Sequence, residues 1–343
     1  MFIKMDLKTA AGIYDKKFRG NSIKNNINKE KNKINKTDGA CNTKAKNRDN
    51  ILIRSKSKGK KVFEKSVENI FLLCACISVI SVAIIIIYIF LKGTPAILDI
   101  GFADFLFGRS WAPLQGEFGI FPMIITSILG TLGAIITGVT IGLFTAIFMA
   151  ELAPPRLAKI FKFAVELLAG IPSVVYGFFG LLVIVPMIHK FLGGGGNSLL
   201  AVIIILSMMI LPTLISISEV ALRSVPKEYK EGSLALGASH IETIFKVLIP
   251  ASKSGIMAAI VLAIGRAVGE TMAVILVAGN SPVMPSSLKD PVRTLTANIA
   301  IEMGYASGLH EGALFATGVV LFVFILFLNI VLNTVIKRRV ARI

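Results

Sequence analysis

The stretch Glu231-Gly-Ser-Leu-Ala-Leu-Gly237 lies between two long apolar runs, and Val247-Leu-Ile-Pro250 follows it after nine residues. The spacing predicts a short helix over 227–236 that ends at Gly237, because glycine is favoured just past a helix C-terminus. A second short helix over 240–248 is expected to end at Pro250, since proline cannot continue a helix interior. Residues 224–250 are therefore predicted to form a hinged pair of short helices between two membrane spans.

The apolar side chains of these two helices are expected to project from the loop as a knob, formed by Leu234, Leu236, Ile241 and Phe245. A protruding apolar knob suits a groove on another protein. The alternative is an ordinary amphipathic loop in the cytoplasm. The spacing of the loop, its side of the membrane and its place before the fifth span favour the first interpretation.

Membrane spans dominate the composition. Hydrophobic residues make up 54% of the 343 residues and charged residues 17%, and the apolar ones come in long blocks. A run of about 18 or more apolar residues suggests a membrane-spanning helix. Six spans are predicted, over residues 67–91, 121–150, 165–188, 199–218, 254–278 and 312–336. This pattern predicts an all-α polytopic membrane protein.

The distribution of Lys and Arg predicts the orientation of these spans. Basic residues are dense before the first span, after the last span, and in the segments that follow the second and fourth spans. Cytoplasmic segments carry an excess of Lys and Arg, so both termini and residues 224–250 are expected in the cytoplasm. Residues 92–120 and 279–310 are then outside, where Trp111 is expected to anchor the chain at the membrane interface.

Residues 1–65 differ from the transmembrane domain, residues 66–343. They hold 19 Lys or Arg against 6 Asp or Glu and have little apolar periodicity, so we expect a disordered basic cytoplasmic tail. One interpretation is a tether to anionic lipid headgroups or nucleic acid. The alternative is a tail that only sets the orientation of the first span. The chain holds three His and one Trp, so neither a metal site nor a nucleic-acid site is expected.

Two ionisable residues lie inside the predicted fifth span. Arg266 and Glu270 are four residues apart, so we expect them to share one helix face and to be able to pair. Charged groups inside a membrane helix are expensive and often mark a transport path. The planar guanidinium suits an oxyanion, so Arg266 is a candidate for the path of an anionic solute, with Glu270 holding or releasing it. The alternative is a structural or gating ion pair that never touches solute.

The predicted third span contains Pro172 with glycines on either side. Proline removes a backbone hydrogen bond, and interrupted membrane helices often line cavities. Ser173 and Tyr176 are therefore candidates for contact with solute or water in the translocation pathway. The alternative is a kink that serves only packing.

Small residues recur in the predicted second span, where Gly138 and Gly142 are four positions apart. In lipid, such pairs let two helix backbones approach closely. The stripe predicts a tight helix pair in the core or at a dimer seam, and general helix packing is the alternative.

Motifs of enzymes are missing from the sequence. The phosphate-binding loop G-x-x-x-x-G-K-[ST] does not occur, and neither does H-E-x-x-H. No nucleophile elbow or pair of catalytic carboxylates stands out. We therefore expect a chain that is not an enzyme and that needs no cofactor or metal.

From about residue 67 onward the chain resembles the permease subunits of bacterial phosphate-specific ABC transporters, the Pst family. The resemblance is carried by FLFGRSWAP (105–113), GIPSVVYG (170–177), the loop at 231–250 and GRAVGETMAV (265–274). The loop is typical of ABC importers, and the segments GIPSVVYG and GRAVGETMAV are typical of phosphate permeases. The first segment, with its W-x-P, favours the PstC-like over the PstA-like member.

Within the loop, three residues match the importer pattern of E-A-A, three residues, Gly, nine residues and I-x-L-P: Glu231, Gly237 and Pro250. Four positions depart from it, with Gly232 and Ser233 for the alanines, Val247 for Ile and Ile249 for Leu. All four replacements are small or similar in shape.

The resemblance implies a type I ABC-importer permease with six transmembrane helices that imports inorganic phosphate across the bacterial cytoplasmic membrane. It implies four partners: a homodimeric ABC ATPase that hydrolyses ATP, a PstA-like second permease, an extracytoplasmic phosphate-binding protein and membrane lipid. It assigns coupling to the ATPase to Glu231, Leu236, Gly237, Phe245 and Pro250, and importance in transport to Arg266 and Glu270. The alternatives are a permease for molybdate or sulfate, an ion-coupled secondary transporter, and a membrane-anchored scaffold whose tail is functional.

Overall fold

The computed structural model describes residues 63–340, with the side chains of 332, 333 and 335–340 excepted. The predicted disordered tail, residues 1–65, therefore lies outside the described residues apart from its last three positions. Contacts divide the chain into two units, Met1–Val82 and Ala83–Ile343. The described part of the first unit is helical and its apolar side chains are exposed, as is typical of a helix that faces lipid.

The described residues are mainly helical, with one antiparallel hairpin that pairs β1 (Trp111–Ala112) with β2 (Glu117–Phe118). The helices, in chain order, are α1 (Phe63–Ile100), α2 (Phe102–Phe107), α3 (Phe121–Ile147), α4 (Pro155–Ala169), α5 (Ser173–Phe179), α6 (Val185–Leu192), α7 (Leu199–Arg223), α8 (Lys227–Ala235), α9 (His240–Thr243), α10 (Ile249–Ala251), α11 (Lys253–Val268), α12 (Met272–Val277), α13 (Leu295–Glu302) and α14 (Leu309–Val340). Three π turns interrupt or extend them, at Phe148–Leu152, Gly180–Ile184 and Ile244–Leu248.

Five of the described helical segments are long and apolar enough to cross a membrane, and a bent pair raises the number to six. The five are Phe63–Ile100, Phe121–Leu152, Ser173–Leu192, Leu199–Arg223 and Leu309–Val331. The pair is His240–Ala251 with Lys253–Val268, bent by 69°. The predicted all-α polytopic membrane fold is confirmed.

The core of the second unit is built on close contact between α3 and α7. A Cβ atom added at Gly138 would lie 2.8 Å from Cδ1 of Ile210, and one at Gly133 would lie 2.6 Å from Cδ1 of Ile203. The glycines therefore leave space that the isoleucines of α7 fill. The glycine stripe forms a tight helix pair inside this chain.

Contacts group the loops at two ends of the molecule. At the inner end, which carries 148–152 and 223–252, Lys230 forms an ion pair with Glu151. At the outer end, which carries 105–120 and 279–310, the backbone N–H of Leu199 donates to the carbonyl of Asp290 at 3.0 Å. This is the grouping that the Lys and Arg distribution predicts.

The outer end differs from its prediction in two ways. The first helix continues to Ile100, well beyond the predicted span end at residue 91. Trp111 is only 6% exposed, and its indole N–H donates to the Glu302 carboxylate at 2.9 Å. The prediction that Trp111 is an anchor at the membrane interface is wrong, because a buried acidic partner takes up its N–H.

Candidate functional site

The first half of the predicted coupling loop folds as its sequence indicates. Helix α8 ends at Ala235, and Gly237 follows with a φ of +85°, a left-handed conformation that glycine adopts without strain. The backbone N–H of Gly237 donates to the carbonyl of Leu234 at 3.0 Å, and that of Ala238 donates to Ser233 at 3.2 Å. These two bonds close the C-terminus of α8, so the predicted glycine stop is confirmed.

The second half of the loop begins with a capping box. Ser239 Oγ accepts from the backbone N–H of Glu242, and the Glu242 carboxylate accepts from the backbone N–H of Ser239. The helical path then runs through the π turn and α10 to Ala251. The helix ends at Ala251, one residue after Pro250, and the chain then bends by 69° into α11. The predicted stop at Pro250 is therefore confirmed to within one residue.

One face of the loop is free and the other is packed. Leu236 is 91% exposed, and Phe245 is 50% exposed. Ile244 and Leu248 are buried and share an apolar cluster with Leu222 at the end of α7. The loop therefore presents an apolar outer surface from a firmly seated base, which suits contact with a separate protein.

Two further residues that were predicted to contact the ATPase, Glu231 and Pro250, are also exposed. Within residues 63–340, Glu231 forms no ion pair or hydrogen bond with a side chain. Its carboxylate therefore remains available to a partner protein.

The fifth span is broken beside the two ionisable residues. Helix α11 ends at Val268, and α12 begins at Met272. Glu270 lies in the break, where its carboxylate accepts from the backbone N–H of Ala273 at 3.0 Å. Arg266 lies in the last turn of α11 and donates to Thr213 Oγ1 at 3.4 Å.

The prediction that Arg266 and Glu270 share one helix face is therefore wrong. The salt bridges of residues 63–340 do not join them. The physical reason is local, since the start of α12 has an unsatisfied backbone N–H that the Glu270 carboxylate accepts from.

The third span is broken in a similar way. Helix α4 ends at Ala169 and α5 begins at Ser173, so Pro172 lies just before a helix start and not inside a continuous span. The hydroxyl of Tyr176 donates to the carbonyl of Leu168 across the break at 2.8 Å. Ser173 is half-buried and Tyr176 is buried.

The two breaks lie close together, although they are about 100 residues apart in the chain. A Cβ atom added at Gly177 would lie 2.8 Å from Cα of Ala273, so α5 and α12 touch through their backbones. The break before α5, which carries Ser173 and Tyr176, and the break before α12, which holds Glu270, therefore lie in one region. Arg266 lies at the end of α11, less than two turns before Glu270.

A cavity of about 800 Å³ opens beside this region, between α7, α11 and α14. Arg266, Thr213 and Asn329 supply polar groups to a mainly apolar wall. Of the predicted pathway residues, Arg266 lines this cavity, whereas Ser173, Tyr176 and Glu270 do not. Among the described residues, His, Cys, Asp and Glu form no group of three or more that could hold a metal ion.

The outer end holds a buried polar cluster that was not predicted from the sequence. The Glu302 carboxylate accepts from Trp111, from Arg293 and from Nε2 of His310 at 2.8 Å. Burial acts to raise the pKa of Glu302, but these three hydrogen bonds and the charge of Arg293 outweigh it, so the pKa lies below its usual value. No sequence signal announced the cluster, because Trp111 and Glu302 are 191 residues apart.

Comparison with known proteins places the chain in a family. Residues 138–342, more than half of the chain, match the model of the binding-protein-dependent transport system inner membrane component. The chain is 40% identical over 257 residues to the probable ABC transporter permease protein YqgH of Bacillus subtilis, covering 73% of this chain and 83% of that protein. It is 31% identical over 292 residues to the phosphate transport system permease protein PstC of Haemophilus influenzae, covering 78% and 92%.

The fold has a solved counterpart. An inward-facing structure of the MetNI methionine ABC transporter aligns with a TM-score of 0.52 at 18% identity, covering 67% of this chain and 99% of that chain. At this identity the likeness concerns the fold alone. With the family match and the two relatives, it establishes that this chain belongs to the inner membrane components of binding-protein-dependent transport systems.

Proposed function

We propose that this chain is a permease subunit that carries inorganic phosphate across the cytoplasmic membrane in an ATP-driven import system. Two kinds of observation support the proposal. Its relatives include a phosphate transport system permease at 31% identity over most of both chains. In addition, the guanidinium of Arg266 is exposed in the fifth span, beside the interruption between α11 and α12. An anion is the natural ligand of such a group.

Arg266 carries the argument for an anion. Its side chain is exposed in the single subunit, although it belongs to an apolar helix. An exposed charge at this depth must face water or protein, since contact with lipid is expensive. No carboxylate among the described residues lies within ion-pair distance of it, and its hydrogen bond to Thr213 uses one of its five N–H donors. The remaining donors suit the oxygens of a phosphate.

The implied cycle uses both the outer end and the inner end of the protein. A phosphate-loaded binding protein docks at the outer end, and ATP closes a separate ATPase dimer that holds residues 224–250. Motion of these residues passes to the spans and opens the pathway outward. Hydrolysis lets the pathway reopen inward, and a second, PstA-like permease supplies the other wall. Ser173, Tyr176, Arg266 and Glu270 line or position the path in this scheme.

Uptake of radiolabelled phosphate into vesicles that contain the complete complex tests the proposal. We expect uptake that requires ATP, the ATPase subunit and the binding protein, and that excess sulfate or molybdate does not inhibit. Arg266→Gln should reduce uptake strongly, and Arg266→Lys should retain part of it because the charge remains. ATP-driven uptake of sulfate or molybdate in place of phosphate would overturn the substrate assignment.

A further inference from the structure

The first helix of the coupling loop is held to the membrane helices by charge and hardly by packing. None of the residues of α8 is buried. Lys230, near the middle of α8, forms an ion pair with Glu151 in the π turn that ends the second span. The Glu151 side chain is 10% exposed and that of Lys230 is 33% exposed, so water screens this pair less than an ordinary surface pair.

The second half of the loop is held differently. Ile244 and Leu248 are buried with Ile147 and Leu222, at the ends of the second and fourth spans. Close packing of this kind transmits displacement directly, because protein interiors have low compressibility. The two halves of the loop thus reach the same pair of spans by two routes, one apolar and one ionic.

A cavity of about 400 Å³ lies along the ionic route. It lies between α8 and the ends of the second and fourth spans, and its lining includes Glu151, Arg223, Lys230 and Glu231. Because side chains do not fill this space, packing between α8 and the spans is sparse here. The ion pair between Lys230 and Glu151 crosses the gap.

The π turn that holds Glu151 is itself fixed to the fourth span. Arg223 donates from Nη2 to the carbonyl of Met149 at 2.8 Å and from Nε to the Glu219 carboxylate at 2.8 Å. Met149 is 1% exposed. A displacement of Glu151 therefore reaches both spans, because Arg223 joins the turn to the fourth span.

We propose that Glu151 and Lys230 are positioning residues that transmit the motion of α8 to the second and fourth spans. Neither residue contacts solute. This inference rests on the proposed function, since it assigns a mechanical role within the ATP-driven cycle. It predicts that loss of the pair separates ATP hydrolysis from transport and leaves the pathway itself intact.

The test measures ATP hydrolysed per phosphate imported, in vesicles that contain the complete complex with the full-length chain. The variants are Glu151→Gln, Lys230→Gln and the double variant. The matched control is Lys159→Gln, which removes an exposed lysine of α4 that lies outside residues 224–250. Lys230→Arg, which keeps the charge, is the conservative variant.

We expect each Gln variant to raise the ratio several-fold at equal amounts of assembled complex. The double variant should be no worse than either single one, because residues that act as a pair are not additive. Lys159→Gln and Lys230→Arg should keep the wild-type ratio. A purely structural role would reduce the amount of complex without changing the ratio.

A wild-type ratio in Lys230→Gln overturns the inference, and so does full additivity in the double variant. Lys230 is partly exposed, so its replacement decides the matter even if Glu151→Gln fails to assemble. Failure of the wild-type complex to import phosphate would instead refute the proposed function, so the two failures are distinguishable.

Discussion

The indole nitrogen of Trp111 donates to Oε2 of Glu302 at 2.9 Å, which joins the outer hairpin to the end of α13. Arg293 bonds the other carboxylate oxygen and also donates from Nε to the carbonyl of Asn280 at 2.8 Å. One carboxylate thus holds together the hairpin, the 279–293 loop and α13. The outer end depends on the ionised form of a single buried acid.

Stability of the outer end should depend on pH through Glu302. Its pKa is lower in the folded protein than in the unfolded chain, so the folded state favours the ionised form. The resulting stabilisation is complete above the ordinary pKa of a glutamate, about 4.3, and is lost as pH falls through the lower folded pKa. Thermal unfolding of the purified protein, followed between neutral and acidic pH, measures this loss.

Glu302→Gln is the control for that experiment. It should lower the unfolding temperature at neutral pH and flatten the dependence on acidic pH. Equal pH slopes in the wild type and the variant would show that another group is responsible.

Gly237→Val should impair coupling while leaving membrane insertion intact. A β-branched residue at a φ of +85° is strained by roughly 1–2 kcal/mol, so the turn after α8 must change. ATP-driven phosphate uptake at equal amounts of membrane-inserted protein measures the effect. Gly232→Ala is the matched control, because Gly232 lies in α8 with open space around it. Normal uptake by Gly237→Val would contradict a role for the glycine turn.

Gly138→Val should destabilise the contact between α3 and α7. The first added carbon already lies 2.8 Å from Ile210, and overpacking of this kind typically costs about 1–3 kcal/mol. The unfolding temperature of the detergent-solubilised protein should fall. Gly304→Ala, which meets no neighbour within 4 Å, should leave it unchanged. An unchanged unfolding temperature for Gly138→Val would contradict the conclusion that close contact between α3 and α7 stabilises the protein.

Tyr176→Phe should loosen the break in the third span. The variant loses the hydrogen bond to the Leu168 carbonyl, which is worth about 0.5–1.5 kcal/mol, and leaves that carbonyl without this partner. We expect a lower rate of phosphate uptake and a small loss of thermal stability. Tyr305→Phe, at a side chain 67% exposed, is the control. Identical uptake in the two variants would argue against a role for the Tyr176 hydroxyl.

Local chemistry made part of this structure predictable. Long uncharged runs indicate spans without knowledge of their neighbours, and Gly237 ends α8 because a left-handed residue is needed there. Pro250 likewise marks the end of the second short helix to within one residue. Where the sequence offered two local outcomes for Glu270, the choice failed. Glu270 accepts from a nearby backbone N–H in place of pairing with Arg266.

Long-range contacts were beyond sequence reasoning. Lys230 and Glu151 are 79 residues apart, and each alone resembles an ordinary charge at a span end. The helix breaks at residues 170–172 and 269–271 lie close together because α5 packs against α12 through Gly177. Such contacts form only when the helices pack together, so local sequence patterns do not show which distant residues will meet.

The glycine-lined contact between α3 and α7 limits how transport can proceed. Isoleucine side chains occupy the space that a Cβ atom at these glycines would need, so sliding of one helix along the other would force backbone against side chain. We therefore expect the second and fourth spans to move together during transport. The joints that bend belong elsewhere, and residues 170–172 and 269–271, where regular helix stops, are placed to serve as hinges.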